Sequence, residues 1–285
     1  MRVLACAVNV SEGRRPAVVD AMAAAAGEDL LDVHRDEHHH RSVLWLAGED
    51  AVRAVAAVAV AAIDLRRHAG AHPRLGAVDV VPFVPVAGAT AVDAAAARDR
   101  FVHWIAGALH VPAFTYGPSP GGGGGRSLPD VRRRAFRTLR PDAGPLAPHP
   151  TAGAVAVGAR GALVAYNLWL AEPDVSRARA IARDVRGPFV RALGLRVGAD
   201  VQVSLNLIDP LAFGPADAYD TVAAAAARRG CGIARAELVG LVPDDVLRRT
   251  PETRWATLDL GPDRTVESRL AARWGGHGRP AVTPP

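Results

Sequence analysis

His68 and His72 stand four residues apart in Arg67-His-Ala-Gly-Ala-His-Pro-Arg-Leu-Gly-Ala-Val-Asp79, a segment punctuated by Gly70, Pro73 and Gly76 and followed by the apolar run Val78 to Val86. Imidazole has an ordinary pKa of about 6.5, so it can accept and release a proton near neutrality. A glycine- and proline-bounded loop that ends in a buried strand is where a rigid scaffold presents catalytic groups. Taken alone, His72 also fits a solvated histidine in a basic connector. The i, i+4 spacing of the pair would converge on a metal only along a continuous helix, and Gly70 and Pro73 predict that the helix stops near Arg67.

Three other constellations carry possible chemistry. His34, Asp36, Glu37, His38, His39 and His40 gather metal-ligating side chains, but adjacent histidines in a loop between two strands cannot all face one ion. A solvated or anion-facing substrate loop fits them better. Pro120 to Ser127, PGGGGGRS, resembles a phosphate loop, yet proline stands where the first glycine is needed and Arg126 where lysine is needed. No GxGxxG dinucleotide fingerprint can be drawn from it, and a hinge or mobile lid is the simpler expectation. Val131 to Arg140, VRRRAFRTLR, is basic, but Phe136 is its one aromatic, so base stacking has little to stand on. It reads as a solvated face or the lining of an anion channel.

Composition narrows the chemistry further. Of 285 residues, 49% are hydrophobic and 5% aromatic, so alanine, valine and leucine must build the core of one large or two small domains. All 34 basic residues are arginine. Schiff-base and P-loop lysine mechanisms are therefore excluded, while bidentate recognition of carboxylates or phosphates is favoured. A net charge of +5 points to anionic partners. Cys6 and Cys231 are far apart in apolar runs and read as core thiols rather than a disulfide or zinc framework. The N-terminus lacks signal-peptide features, and the longest apolar stretch, Ala54 to Ile63, is about half of the roughly 20 residues a bilayer span needs. A soluble, cytoplasmic protein is expected.

The elements that must position these groups follow from periodicity. Arg2 to Val10 predicts a strand, Ser11 to about Ala26 a helix, Leu30 to Val33 and Ser42 to Ala47 two strands, and Glu49 to Arg67 a long helix. Val78 to Val86 is the next strand, and its prolines predict an edge position or a strand end. A helix over about Thr90 to Leu109 and a strand over Val111 to Tyr116 complete a split βαβ, ferredoxin-like order. An arginine-rich helix is expected from about Pro129 to Leu139. A second α+β series opens with a strand near 154–158 and continues with a strand at 162–169, a helix at 174–192, a strand at 201–207, a helix at 216–229 and a strand at 234–242. Residues 275–285 read as a disordered tail.

A set of segments then acquires a common meaning: Asn9-Val-Ser-Glu-Gly13, His39-His-Arg-Ser-Val43, Arg67 to Asp79 with Pro82-Phe-Val-Pro85, Leu128-Pro129, Pro141-Asp-Ala-Gly-Pro145, Gly158-Ala-Arg160, Tyr166-Asn167, Val203-Ser-Leu-Asn206 and Glu237 to Pro243. In this order, and over nearly the whole chain, they resemble the glutamate formimidoyltransferase family. The resemblance implies an α+β protein of two ferredoxin-like α/β sandwich subdomains in tandem, 1–160 and 161–274, with a groove between them. It implies transfer of the formimidoyl group of N-formimidoyl-L-glutamate to N5 of tetrahydrofolate, a step in histidine degradation, with folate as co-substrate and no metal required. His72 matches the family's catalytic histidine. The folate-contacting loop maps onto Gly144, Pro145, Leu146, Ala147, Pro148, His149, Pro150, Thr151, Ala152 and Gly153.

The residue chemistry is compatible with that reaction. N5 must lose a proton as it attacks the amidine carbon, the departing glutamate nitrogen must gain one, and a single group titrating near neutrality serves both steps. Arg41 and Arg74 are the first candidates for clamping substrate carboxylates. Asp79 either orients His72 and its loop or is structural. The expected partners are small molecules, with no nucleic acid and no membrane, and a homodimer is the candidate assembly. The expected form is monofunctional, without a cyclodeaminase domain. His40 stands where the family often has asparagine, and His34 and Arg35 depart from its usual acidic or small residues. Formyl transfer between 5-formyltetrahydrofolate and glutamate, a non-catalytic folate- or anion-binding homologue, and a metal-dependent amidohydrolase are the alternatives.

Overall fold

Nine residues from Val78, VDVVPFVPV, form the strand around which the first part of the chain is organised. The computed structural model describes residues 2–70, 73–118 and 125–275, and the chain divides into two units, Met1–Gly161 and Ala162–Pro285. The first unit contains β1 (Val3–Val10), α1 (Pro16–Ala26), β2 (Leu30–Asp36), β3 (Arg41–Ala47), α2 (Glu49–Ala62), β4 (Val78–Val86), α3 (Ala91–Ala108), β5 (Ala113–Tyr116), α4 (Leu128–Arg134) and β6 (Val155–Ala159). Its sheet runs β2-β3-β1-β4-β6-β5. β1 is antiparallel to β3 and β4, while β6 lies parallel to β4 and β5.

Alternation explains the strands. Cys6, Val8 and Val10 of β1 enter the main core with Leu44 and Leu46 of β3. Helices α1 to α3 cover that face with Val19, Met22 and Ala26, with Val52, Val55, Ala56 and Ala59, and with Phe101 and Ile105, spacings that put each set on one helix stripe. α3 starts at a capping box in which Thr90 Oγ1 accepts from the Asp93 amide and the Asp93 carboxylate accepts from the Thr90 amide. The opposite face carries a smaller cluster of Val80, Phe114, Tyr116, Ala154, Ala156 and Val131 of α4.

β4 does not alternate throughout. Val10 pairs with Val78 and the adjacent Asn9 with Val80, so Asp79 is an extra, bulged residue. The bulge shifts the phase, and Val78 joins Val81 and Phe83 in the main core while Val80 joins the smaller one.

Several expectations are corrected. β4 is an interior strand, between β1 and β6, despite Pro82 and Pro85. A proline withdraws one N–H but leaves its carbonyl, and the β6 pairing ends at Phe83, before Pro85. The strand near 154–158 belongs to the first sheet, because the connection before it is tied back by Ala154 N–H to Leu75 O and Asp142 N–H to Ala113 O. α1 begins at Pro16, and Ser11 to Arg15 form a turn in which Glu12 accepts the amides of Arg14 and Arg15. The long second helix ends at Ala62, with Leu65–Arg67 a separate 3-10 turn. The arginine-rich helix stops at Arg134, and Phe136, at φ 58°, turns the chain.

The second unit contains β7 (Val164–Leu170), α5 (Val175–Val185), β8 (Val190–Val197), β9 (Asp200–Leu207), α6 (Pro215–Ala227), β10 (Ile233–Val239), α7 (Asp244–Arg248) and α8 (Val266–Gly275). Its antiparallel sheet runs β10-β7-β9-β8. The helix expected over 174–192 is α5 followed by β8: Gly187-Pro188 interrupts it, and Val190 and Ala192 then point inward between exposed Arg191 and Leu193. Tyr166, Leu168, Ile181, Leu205 and Leu207 form the core, and Tyr166 donates to Leu258 O at 2.8 Å. The neighbour order of β7 to β10 repeats that of β1 to β4. The chain is thus α+β with two sheets. The glycines at 121–124 and all of the expected tail beyond Gly275 lie outside the described residues.

Candidate active site

The C-terminal end of β1 and the N-terminal ends of β3 and β4 meet at one edge of the first unit, where Val10 pairs with both Ser42 and Val78. The bulge directs the Asp79 side chain into this junction, fully buried. Its Oδ1 accepts from the Leu75 amide at 2.6 Å, and its Oδ2 accepts from Arg41 Nη1 and Arg132 Nη2, each at 2.6 Å. Arg132 also donates from Nη1 to Pro73 O at 2.9 Å, and Arg41 donates from Nε and Nη2 to Asn9 Oδ1. Burial pushes the Asp79 carboxyl up, but the Arg41 and Arg132 charges and their hydrogen bonds outweigh it and hold it below the ordinary range. Burial also lowers Arg41, against the opposing pull of Asp79.

A second loop presses against the same segment. Gly76 pairs with Gly153, the Ala77 amide donates to Ala152 O, and the Leu65 amide donates to Thr151 O. A Cβ on Gly76 would sit 2.0 Å from Ala154 O, and Gly153 has φ +68°. Only glycine allows the two backbones this approach. Residues 144–153 therefore lie beside the loop that leads into β4. Within them Leu146 is 68% exposed, whereas Ala152 is buried. His149 is spent on its own turn, its Nδ1 accepting from the Ala152 amide at 3.0 Å.

On the other side of the junction Arg74 folds back, donating from Nη2 to His68 O at 3.0 Å. His68 directs Nε2 at His40 O, 3.2 Å away, and stacks on the His40 ring. His40, at φ 52°, directs Nδ1 at Ala69 O and Nε2 at Glu12 Oε1. Burial pushes Glu12 up, yet the Arg14 and Arg15 amides and the Arg15 side chain bring it down to about 2. Burial, then Arg74 and His40, lower His68 to about 4. A cavity of about 470 Å³ opens here, lined among others by Glu12, Arg14, Arg15, His40, Arg67 and His68.

Asp79, Arg41, Arg74 and the Gly144 to Gly153 loop are thus gathered at one end of one unit, around residues flanking position 72. His72 itself lies outside the described residues. Arg41 and Arg74 have their guanidinium groups turned to protein acceptors. The acidic and histidine run resolves into separate contacts, His39 with Asp36 and His40 with Glu12. Among the described residues no group of three or more His, Cys, Asp or Glu could hold a metal ion. Arg132 was not singled out by the sequence. It follows Val131, the buried anchor of α4, and local pattern does not separate it from Arg133 and Arg134. In the second unit Glu237 accepts from Asn167 Nδ2 and Trp169 Nε1, on the face away from the helices.

Residues 3–160 match the formiminotransferase domain, N-terminal subdomain, and the chain belongs to that family. It is 32% identical over 271 residues to the glutamate formimidoyltransferase of Streptococcus pyogenes serotype M1, covering 86% of this chain and 91% of that protein. It is 31% identical over 274 residues to the glutamate formimidoyltransferase of Thermoplasma acidophilum, covering 87% and 90%. The formimidoyltransferase-cyclodeaminase of Sus scrofa is 33% identical over 273 residues, and there the chain covers 50% of the relative's length.

Proposed function

We propose that this chain transfers the formimidoyl group of N-formimidoyl-L-glutamate to N5 of tetrahydrofolate, in histidine degradation. The observation that carries the reading is its likeness, over most of both chains, to two proteins named glutamate formimidoyltransferase. In this reading the two units are ferredoxin-like subdomains, 1–160 and 161–274, an assignment supported by their shared strand order.

His72 is the proton-transfer residue. As N5 attacks the amidinium carbon, the imidazole takes the N5 proton, and the tetrahedral adduct then collapses with that proton delivered to the departing glutamate nitrogen. The amidinium carbon is already electrophilic, so the demand on the protein is placement and proton movement. The loop from Gly144 to Gly153 receives folate, and its exposed Leu146 offers an apolar contact. Arg41 and Arg74 contribute positive potential for the substrate carboxylates while remaining bonded to protein acceptors.

The test is incubation of purified protein with formimidoylglutamate and tetrahydrofolate, followed by acid conversion of the product and detection of methenyltetrahydrofolate absorbance. Product formation by wild type, with a loss on the order of 10²- to 10⁴-fold in His72→Ala, is expected. A folded wild type without product overturns the activity. Undiminished turnover by His72→Ala overturns the residue assignment alone.

A further inference from the structure

The loop between Arg67 and Val78 needs a defined position if one of its side chains is to move a proton, yet it is rich in glycine and proline, and its described residues after the 3-10 turn form neither helix nor strand. What fixes it comes from outside. One guanidinium, Arg132, reaches from α4 to both sides of the loop's second half, donating Nη1 to Pro73 O and Nη2 to Asp79 Oδ2. Asp79 closes the ring from the strand side by accepting the Leu75 amide. The backbone at positions 73 and 75, immediately after His72, is therefore tied to a buried carboxylate and to a helix distant in sequence.

The donor is well specified. α4 is a seven-residue helix capped by Ser127, whose Oγ accepts from the Asp130 amide, and anchored by Val131, which is fully buried. Of its consecutive arginines, Arg133 and Arg134 are exposed, and Arg132 alone has a bond into the junction. A planar fork can grip a carbonyl and a carboxylate at once, which a single ammonium cannot do in the same geometry.

We infer that Arg132, acting through Asp79 and Pro73, is a positioning residue for the loop that carries His72. The inference rests on the proposed role of His72 for its catalytic consequence, but the pinning itself does not depend on which reaction occurs. Arg41 shares Asp79 Oδ2 with Arg132 and uses its remaining donors on Asn9.

The test compares wild type, Arg132→Lys, Arg132→Ala, His72→Ala and the double variant Arg132→Ala/His72→Ala, by steady-state kinetics and by amide hydrogen exchange. Both Arg132 variants should lower kcat by about 10- to 100-fold, the scale expected of an ångström-level misplacement, with KM for either substrate changed less than about 3-fold. Exchange at Leu75 should quicken in both, while α1 to α3 stay protected. In the double variant the Arg132 change should add little to the loss from His72→Ala. A rise in KM with kcat unchanged, or a full additional loss in the double variant, overturns the inference in favour of a substrate clamp. Unchanged Leu75 exchange overturns it outright. If wild type has no formimidoyl transfer while Leu75 exchange still responds to Arg132→Ala, the pinning stands and the reaction assignment fails.

Discussion

The imidazole of His40 lies flat on that of His68, with ring centroids 3.8 Å apart and the planes 12° from parallel. The two rings have different partners. His68 meets a carbonyl through Nε2, which places its proton there, and its buried Nδ1 has no hydrogen-bond partner among the described residues. Both His40 nitrogens face acceptors, the Ala69 carbonyl and the Glu12 carboxylate. A proton added to His68 would lie against its stacked neighbour and near Arg74, which is why the pair is asymmetric.

That asymmetry predicts an acid-sensitive stability. His68 is held at about 4 in the folded chain against an ordinary 6.5, so the unfolded chain binds the extra proton between those values. Stability therefore falls as pH drops from 6.5 toward 4, and this contribution does not change further below 4. Urea unfolding of wild type and His68→Gln across that range should show a shallower pH slope in the variant. Parallel slopes would remove His68 as the cause.

Asp79→Asn keeps the size of the side chain but removes the charge on which two guanidiniums converge. One amide hydrogen of the new group must face a donor, and Arg41 loses its neutralising partner in a buried place. A loss of about 3–5 kcal/mol is expected from breaking a buried charge network, measured as the shift in the urea midpoint. A midpoint within error of wild type would contradict the buried network.

Gly76→Ala tests the contact between the two loops. The added methyl meets a backbone oxygen at 2.0 Å, which no rotamer change relieves. The variant should separate the two backbones where Gly76 meets Gly153, giving faster amide exchange at Ala77 and Ala154, whose N–H groups donate across the contact, together with reduced turnover. Protection equal to wild type would show that the approach is looser than described.

Leu146→Ala addresses the loop's proposed folate contact without touching the core. An exposed leucine contributes little to folding, so stability should change by no more than about 0.5 kcal/mol. Losing apolar burial against a ligand should raise KM for tetrahydrofolate by about tenfold. An unaltered KM would move the folate contact elsewhere.

The parts legible in the sequence were those governed by local pattern. β1 and β4 follow from apolar runs closed by loop residues, and the resemblance to a known family singles out residues 67–79 and 144–153, whose contact the structure then supplies. What escaped depends on tertiary context. Gly187-Pro188 is a strong break, but α5 and β8 on either side share apolar content, so the sequence pattern alone does not separate one helix from a helix followed by a strand. β6 is a short apolar run whose sheet membership is decided by backbone bonds to Leu75 and Pro112, which no local pattern encodes. Arg132 looked like one of several solvated arginines because the carboxylate it serves lies 53 positions away.

The extra residue in β4 also sets how the chain tolerates insertion and deletion. Val78 and Val81 stand three positions apart and share a core with Asp79 out of step between them. Deleting Asp79 would put Val78 and Val81 two positions apart, still on one face, so the register with β1 would become regular and no valine would change sides. What the deletion would remove is the carboxylate that Arg41, Arg132 and the Leu75 amide share. Homologous chains without the extra residue should therefore also lack the arginine that reaches it from α4.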